Sequence, residues 1–296
     1  MKRLLITHVA DADGAGPIIL SKLTFDDIDF ISVDTDEVDT TLEENLDKYD
    51  IIYITDLNIS DKLASTIENS NYKNKVLVFD HHHSNLDRNK YSFITVIDER
   101  NGKKECGTTL YYGYLKSNFD NKYLHKQSLE FLVELTRQLD TWDFIELNDQ
   151  AFNLGSLYEI YGREKYIDKY YDLVINSENF EWSEIDKTVL DIEENNKKNY
   201  IDEVLKETLE KDIDGYKVGI VFAERYRSSL GHIIAEKYDI GVVINLHHGI
   251  SYRADNANDI DVSIVASKYG GGGHVKASGS PLPAGLKEKI ISYIFD

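Results

Sequence analysis

The N-terminal part of the chain repeats one pattern: a short, almost wholly apolar run, then polar residues, then a stretch with helical spacing. Arg3–Thr7 (RLLIT) reads as a buried strand and Pro17–Leu23 as the start of a helix. Ile28–Val33 and Ile51–Thr55 (IIYIT) follow as strands, then a helix around Lys62–Glu68, then the strand Val76–Phe79 (VLVF). Short apolar runs alternating with helices indicate a parallel sheet covered by helices on both faces. Such sheets bind ligands at the carboxyl ends of their strands.

Further on, Leu129–Arg137 reads as a helix running into Asp140-Thr-Trp-Asp143. Between Glu181 and Asp214 the chain becomes charge-rich and helical, with Ile185, Val189, Ile192, Tyr200, Val204 and Leu205 at intervals compatible with one helix face. A connector and a helix packed on its own domain fit that pattern equally. After Gly215 the alternation resumes: strand Lys217–Phe222, a helix near Leu230–Tyr238, strand Gly241–Leu246. The expected fold class is α/β, with a parallel-sheet domain over 1–180, a helical connector over 181–213 and a smaller α/β domain over 214–296.

Composition narrows the class. Hydrophobic residues at 42% and charged residues at 29% of 296 describe a globular chain. No stretch approaches the roughly 18 uninterrupted apolar residues of a membrane span. The apolar start is broken by His8 and Asp11, too early for a signal-peptide core. A single cysteine, Cys106, excludes an internal disulfide framework and fits a reducing cytoplasm. The net charge of −20 disfavours a grip on long duplex or single-stranded nucleic acid, which depends on phosphate neutralisation. A small phosphate-bearing ligand in a local basic pocket remains compatible, because bound cations offset acidity there.

Candidate chemistry collects where the fold predicts ligands. His8, Asp11 and Asp13 (THVADADGAG) follow the first strand, and alternating Asp-x-Asp supplies oxygen donors to a hard cation, although such a segment also suits a helix cap. Gly14 and Gly16 permit a tight backbone there. Asp56 directly follows IIYIT, and Phe79–Ser84 (FDHHHS) follows VLVF, with Asp80, His81, His82 and His83 in sequence. Asp140 ends an apolar helix. Carboxylates and imidazoles after three strands and one helix, all on the ligand face, point to a metal centre rather than to separate surface charges.

The order HxxDxDG, Asp after a strand, Asp80-His81-His82 and Asp140-Thr-Trp-Asp resembles the four motifs of the DHH phosphoesterase family. Gly270–Gly279 (GGGGHVKASG) resembles the GGGH signature of the DHH-associated domain. One spacing departs: His8 stands three residues before Asp11, where members have two or four. The resemblance implies two divalent cations, Mn²⁺, with His8, Asp11 and Asp56 on one and Asp13, Asp56, His81 and Asp140 on the other. It implies His82 as hydrogen-bond donor or general acid, with Asp80 orienting an imidazole. It gives Arg253, in the strand-like ISYRA, to a substrate phosphate. The run Gly270–Gly273 would offer bare N–H groups to an anion, with Gly271, Gly272 and Gly273 at the substrate beside His274 and Lys276. Ser228, Ser229 and His232 are weaker candidates for the same substrate site, and His83 and Asp143 receive no role.

The function so implied is hydrolysis of short oligoribonucleotides, as in a nanoRNase, with removal of the 3′-phosphate of adenosine 3′,5′-bisphosphate as a companion activity. A phosphodiesterase for cyclic dinucleotides or their linear products is the alternative, and a non-catalytic nucleotide-binding protein a distant third. The expected partner is a short oligonucleotide or dinucleotide, with no long duplex and no membrane, and a homodimer is compatible. Family pyrophosphatases lack the GGGH signature, and RecJ-like exonucleases carry an additional nucleic-acid-binding fold.

Overall fold

Neighbouring residues of each apolar run part to opposite sides of one sheet. The structure, a computed structural model, describes residues 1–142 and 150–296. Strands β1 (Arg3–His8), β2 (Asp29–Val33), β3 (Ile51–Thr55) and β4 (Val76–Asp80) are joined through helices α1 (Ala12–Thr24), α2 (Val38–Asn45) and α3 (Asp61–Glu68). With β5 (Ile94–Val96) they form a parallel sheet in the order β2-β1-β3-β4-β5. A two-residue hairpin, β6 (Glu99–Arg100) and β7 (Lys103–Lys104), precedes helices α4 (Gly107–Asn118), α5 (Gln127–Thr141), α6 (Gln150–Tyr161) and α7 (Arg163–Asn176).

Leu5, Tyr53 and Phe79 face α1 and α4–α7, whereas Leu4, Ile6, Ile52, Ile54, Val76 and Val78 face α2 and α3. Burial on both faces is why these strands lack polar alternation. Each buried Leu or Ile contributes about 1.5–3 kcal/mol, and Leu4, Leu5 and Ile6 are all fully buried. The sheet order turns back on itself between β1 and β3, which is where open α/β sheets bind ligands.

The chain divides into two compact units, Met1–Leu190 and Asp191–Asp296. The division falls inside α8 (Glu184–Lys206). The second unit holds β8 (Leu209–Ile213), β9 (Tyr216–Phe222), α9 (Arg227–Ala235), β10 (Ile240–Asn245), β11 (Gly249–Arg253), α10 (Val262–Ser267), β12 (Gly272–His274), β13 (Ala277–Ser280) and α11 (Leu286–Phe295). Its six strands run β12-β13-β11-β10-β9-β8, and β9 and β10 are parallel across the α9 crossover. No helix among the described residues is long and apolar enough to cross a membrane.

Two local readings need correction. The first helix starts at Ala12, not near Pro17, because the Asp11 carboxylate caps it by accepting from the Gly14 N–H at 2.8 Å. The helical stretch expected to run to 213 stops at Lys206, and Leu209–Ile213 pairs with β9 instead. Asp214 and Gly215, both at positive φ (56° and 85°), make the hairpin turn that allows this.

Candidate metal centre

The ends of β1, β3 and β4 bring their side chains to one place. Asp56 is the first residue beyond β3 and turns into the left-handed region (φ 58°), which Asp tolerates better than most residues. Its N–H donates to the Phe79 carbonyl at 3.0 Å, so the turn is tied to β4. Two glycines allow the close approach. A Cβ on Gly107 would lie 2.7 Å from Asp56 N, and one on Gly14 would lie 2.0 Å from the His8 carbonyl.

Asp13 sits in the first turn of α1 with its side chain fully buried. Its two oxygens accept the N–H groups of Gly107 (2.7 Å) and Thr108 (2.9 Å) at the start of α4, a helix N-terminus that favours negative charge. His8 Nδ1 lies 3.0 Å from Asp11 Oδ2 and 3.4 Å from Asp56 Oδ2. The three-residue spacing therefore does not keep the imidazole away from the aspartates. His81 Nε2 lies 3.1 Å from Asp56 Oδ1, 3.6 Å from Asp140 Oδ2 and 3.9 Å from Asp13 Oδ2.

Three groups of donor atoms each lie within 4.8 Å of one another: His8, Asp11 and Asp56; Asp13, His81 and Asp140; and Asp56, His81 and His82. Asp56 belongs to two of them. Protonation reports the crowding. Burial, followed by repulsion from Asp56 and Asp140, raises Asp13 to about 8. Burial also lifts Asp140 to about 6 against the pull of His81. Burial would raise Asp56 as well, yet bonds from His8 and His81 hold it below the usual range. A bond to Asp56 raises His8 to about 9. His81, lowered by burial, is carried to about 9 by Asp56, Asp13 and Asp140. A carboxyl, Asp13, that retains its proton at neutral pH beside protonated imidazoles marks an excess of negative charge. Carboxylate and imidazole donors in this number suit a divalent cation of hard to borderline character.

Asp80 is buried and saturated. One oxygen accepts from the His81 N–H (2.7 Å), the His82 N–H (3.1 Å) and His82 Nδ1 (2.7 Å). The other accepts from Asn58 Nδ2 (2.9 Å) and Asn85 Nδ2 (2.7 Å). Burial works against its ionisation, but these bonds outweigh it and hold the carboxyl at about 2. The His82 ring is thus fixed at Nδ1, half-exposed, and lies against the His81 ring with centroids 4.4 Å apart. A pocket of about 440 Å³ opens beside Asp56 and His82, lined among others by Thr35, Asp36, Asp39, Asn58 and Ser84. His83 points away, exposed and paired with Asp98 at 2.7 Å. Asp143 lies outside the described residues.

Asn58, Asn85, Gly107 and Thr108 escaped the sequence reading. The only local signal was that Asn58 stands two residues beyond Asp56.

In the second unit Arg253 donates to Ser228 Oγ at 3.0 Å and to the Tyr252 carbonyl at 2.9 Å. The idea of bare N–H groups along the glycine run is corrected in part. Gly270 N–H donates to the Ser267 carbonyl and Gly271 N–H to the Ala266 carbonyl. A Cβ on Gly271 would lie 2.0 Å from the Gly279 carbonyl, so backbone packing accounts for that glycine. Gly272, Gly273 and the exposed His274 pair with β13, while Lys276 is tethered to Asn258 and the Ile260 carbonyl. Ser228 and His232 are exposed and Ser229 is half-buried.

A model described as the DHH family, N-terminal domain, matches residues 2–134. Over that span the chain is a DHH-family domain. It is a metal-dependent phosphoesterase. The chain is 29% identical over 299 aligned positions to the oligoribonuclease NrnB of Bacillus subtilis (strain 168), covering 96% of this chain and 74% of that protein. A solved pGpG-specific phosphodiesterase from Vibrio cholerae is 13% identical with a TM-score of 0.56, over 99% of this chain and 97% of that one. A solved DHH domain, described as that of a member of a family of ribosomal proteins, is 14% identical with a TM-score of 0.58, over 99% and 85%. At these identities the two structures share the DHH fold.

Proposed function

We propose that this DHH protein is a nanoRNase, a Mn²⁺-dependent phosphodiesterase that cuts very short oligoribonucleotides to mononucleotides. The observation that carries the reading is the pair of donor groups, His8/Asp11/Asp56 and Asp13/His81/Asp140, with Asp56 3.1 Å from His81 between them. These residues would hold two cations, with Asp56 shared. Bound divalent cations supply Lewis acidity, lowering the pKa of water and offsetting charge on a phosphoryl group undergoing in-line displacement.

The chain's own residues do the rest. Asp80 fixes the His82 ring through Nδ1, leaving Nε2 to donate to a phosphate oxygen or to the leaving group. The pocket beside His82 carries carboxylates, which repel phosphate and accept hydroxyl or amino donors, so it suits a nucleoside. Arg253 and His274 bind a phosphate away from the scissile bond. The likeness to an oligoribonuclease along nearly the whole chain supports RNA as substrate.

The test is a hydrolysis panel with Mn²⁺: diribonucleotides, five-mers, long oligomers, cyclic dinucleotides, pyrophosphate and adenosine 3′,5′-bisphosphate. The expected order is fastest cleavage of the shortest linear RNA, with a companion 3′-phosphatase activity. Faster turnover of a cyclic dinucleotide, or equal rates on a dinucleotide and a long strand, would overturn the reading.

A further inference from the structure

Asp11 and Asp13 belong to different donor groups yet are separated by one residue, where the loop after β1, with Val9 and Ala10 exposed, runs into the first turn of α1. Their mutual aim depends on what holds that loop. One side chain ties both its ends. Arg163, the first residue of α7, donates through Nη1 to the Val9 carbonyl at 2.8 Å. Through Nη2 it donates to the Gly14 carbonyl at 2.9 Å and to Ser32 Oγ on β2 at 3.0 Å. Val9 precedes Asp11 and Gly14 follows Asp13, so a single planar guanidinium brackets both carboxylates and fastens them to the sheet. The guanidinium spreads these donors over two nitrogens of a rigid planar fork, whereas a lysine would have to offer all of them from one nitrogen. The Gly14 peptide is held on its other sides too, its N–H by Asp11 (2.8 Å) and its carbonyl by Thr7 Oγ1 (3.0 Å).

We propose that Arg163 is a positioning residue of the metal centre. It touches neither donor carboxylate through these bonds, but it sets their separation and aim, so its loss weakens cation binding. This rests on reading His8, Asp11, Asp13, Asp56, His81 and Asp140 as the ligand set. A plain packing role is separable, because Lys22 of α1 and Asp168 of α7 also bridge the same two helices, at 2.8 Å, away from the loop.

The experiment is a titration of metal-free protein with Mn²⁺, free ion being read by electron paramagnetic resonance. Wild type, Arg163→Ala, Arg163→Lys and Lys22→Ala are compared, each checked for fold by circular dichroism. Removing an outer partner of a metal ligand typically costs about 10–100-fold in affinity. Arg163→Ala should fall in that range, Arg163→Lys should lose less, and Lys22→Ala should match wild type. Activity of Arg163→Ala should recover towards wild type as Mn²⁺ is raised to saturation. If Arg163→Ala does not fold, Arg163→Lys decides, since it keeps charge and stem but not the fork. Wild-type affinity in the folded Arg163 variants, or equal weakening by Lys22→Ala, overturns the proposal alone. A wild-type protein that binds no cation overturns the ligand set as well.

Discussion

Replacing Asp80 by Asn tests whether the third motif is built around a charge. All five groups facing this carboxylate are donors: two backbone N–H groups, the His82 ring nitrogen and two side-chain amides. The amide of Asp80→Asn must direct its own N–H₂ at some of them. Facing the Asn side is the milder choice. Asn85 can rotate to offer its oxygen, but Asn58 cannot, because its Oδ1 already accepts the Ile59 N–H at 3.0 Å. At least one charge-assisted bond disappears, and each is worth about 1.5–3 kcal/mol. The surviving bonds lose their ionic partner. A second route gives a similar size: holding the carboxyl at about 2 against an ordinary 3.8 corresponds to about 2.5 kcal/mol at neutral pH. Because the folded value is depressed, that stability is present above about pH 4 and is lost as pH falls through 2. Together these give a destabilisation of about 3–5 kcal/mol for Asp80→Asn. Urea unfolding at pH 7, followed by far-UV circular dichroism, measures it, and hydrolysis of a dinucleotide reports the misaligned His82. A loss below about 1 kcal/mol with normal turnover would refute the account of Asp80 as an ionised hub.

Asp56→Asn keeps a residue that accepts left-handed φ, so the protein should fold while hydrolysis drops at least about a hundredfold; normal turnover by the folded variant removes Asp56 from the centre. Without cations, Asp13 at about 8 and His8 and His81 at about 9 bind more protons folded than unfolded, so stability should decline as pH rises from about 4 to 9, more steeply above about 6.5 where the two histidines join Asp13. Saturating Mn²⁺ should flatten that decline, which melting temperatures with chelator and with metal across this range will show. Arg253→Ala should lower kcat/KM on a dinucleotide by about ten- to a hundredfold, given about 1.5–3 kcal/mol for a charged hydrogen bond. A nitrophenyl phosphodiester should change far less, and equal losses on both substrates would assign Arg253 to folding. His83→Ala, at an exposed site paired with Asp98, should leave dinucleotide turnover within about twofold of wild type.

The sheet of the first unit was readable because doubly buried strands leave unmistakable runs: RLLIT, IIYIT and VLVF coincide with β1, β3 and β4 to within a residue. Strand ends then located Asp56 and the run Asp80–His83, and the family resemblance singled out His81 within that run. What stayed hidden depends on partners distant in sequence. The start of α1 carries Asp13 and Gly14, both poor helix formers, held by the Asp11 cap and by contact with Thr108 of α4. Gly107 and Asn85 look like ordinary loop residues until Asp13 and Asp80 are seen to need their donors. Strand β8 (LEKDI) lies at a sheet edge and is largely exposed, so it carries no apolar stripe, and only Asp214-Gly215 hinted at a hairpin.

The all-parallel sheet also fixes when the centre can exist. Every ladder in it joins strands separated by a crossover, so no local hairpin can seed the pairing, and such non-local contacts form slowly. His8, Asp56 and His81 meet only after β1, β3 and β4 have all been laid side by side. Asp140 arrives later still, on a helix that follows the entire sheet. During synthesis the growing chain therefore exposes scattered carboxylates long before it owns a cage. Ion capture is a late event in the life of the molecule, and an ion held tightly is a sign that assembly of the first unit is complete.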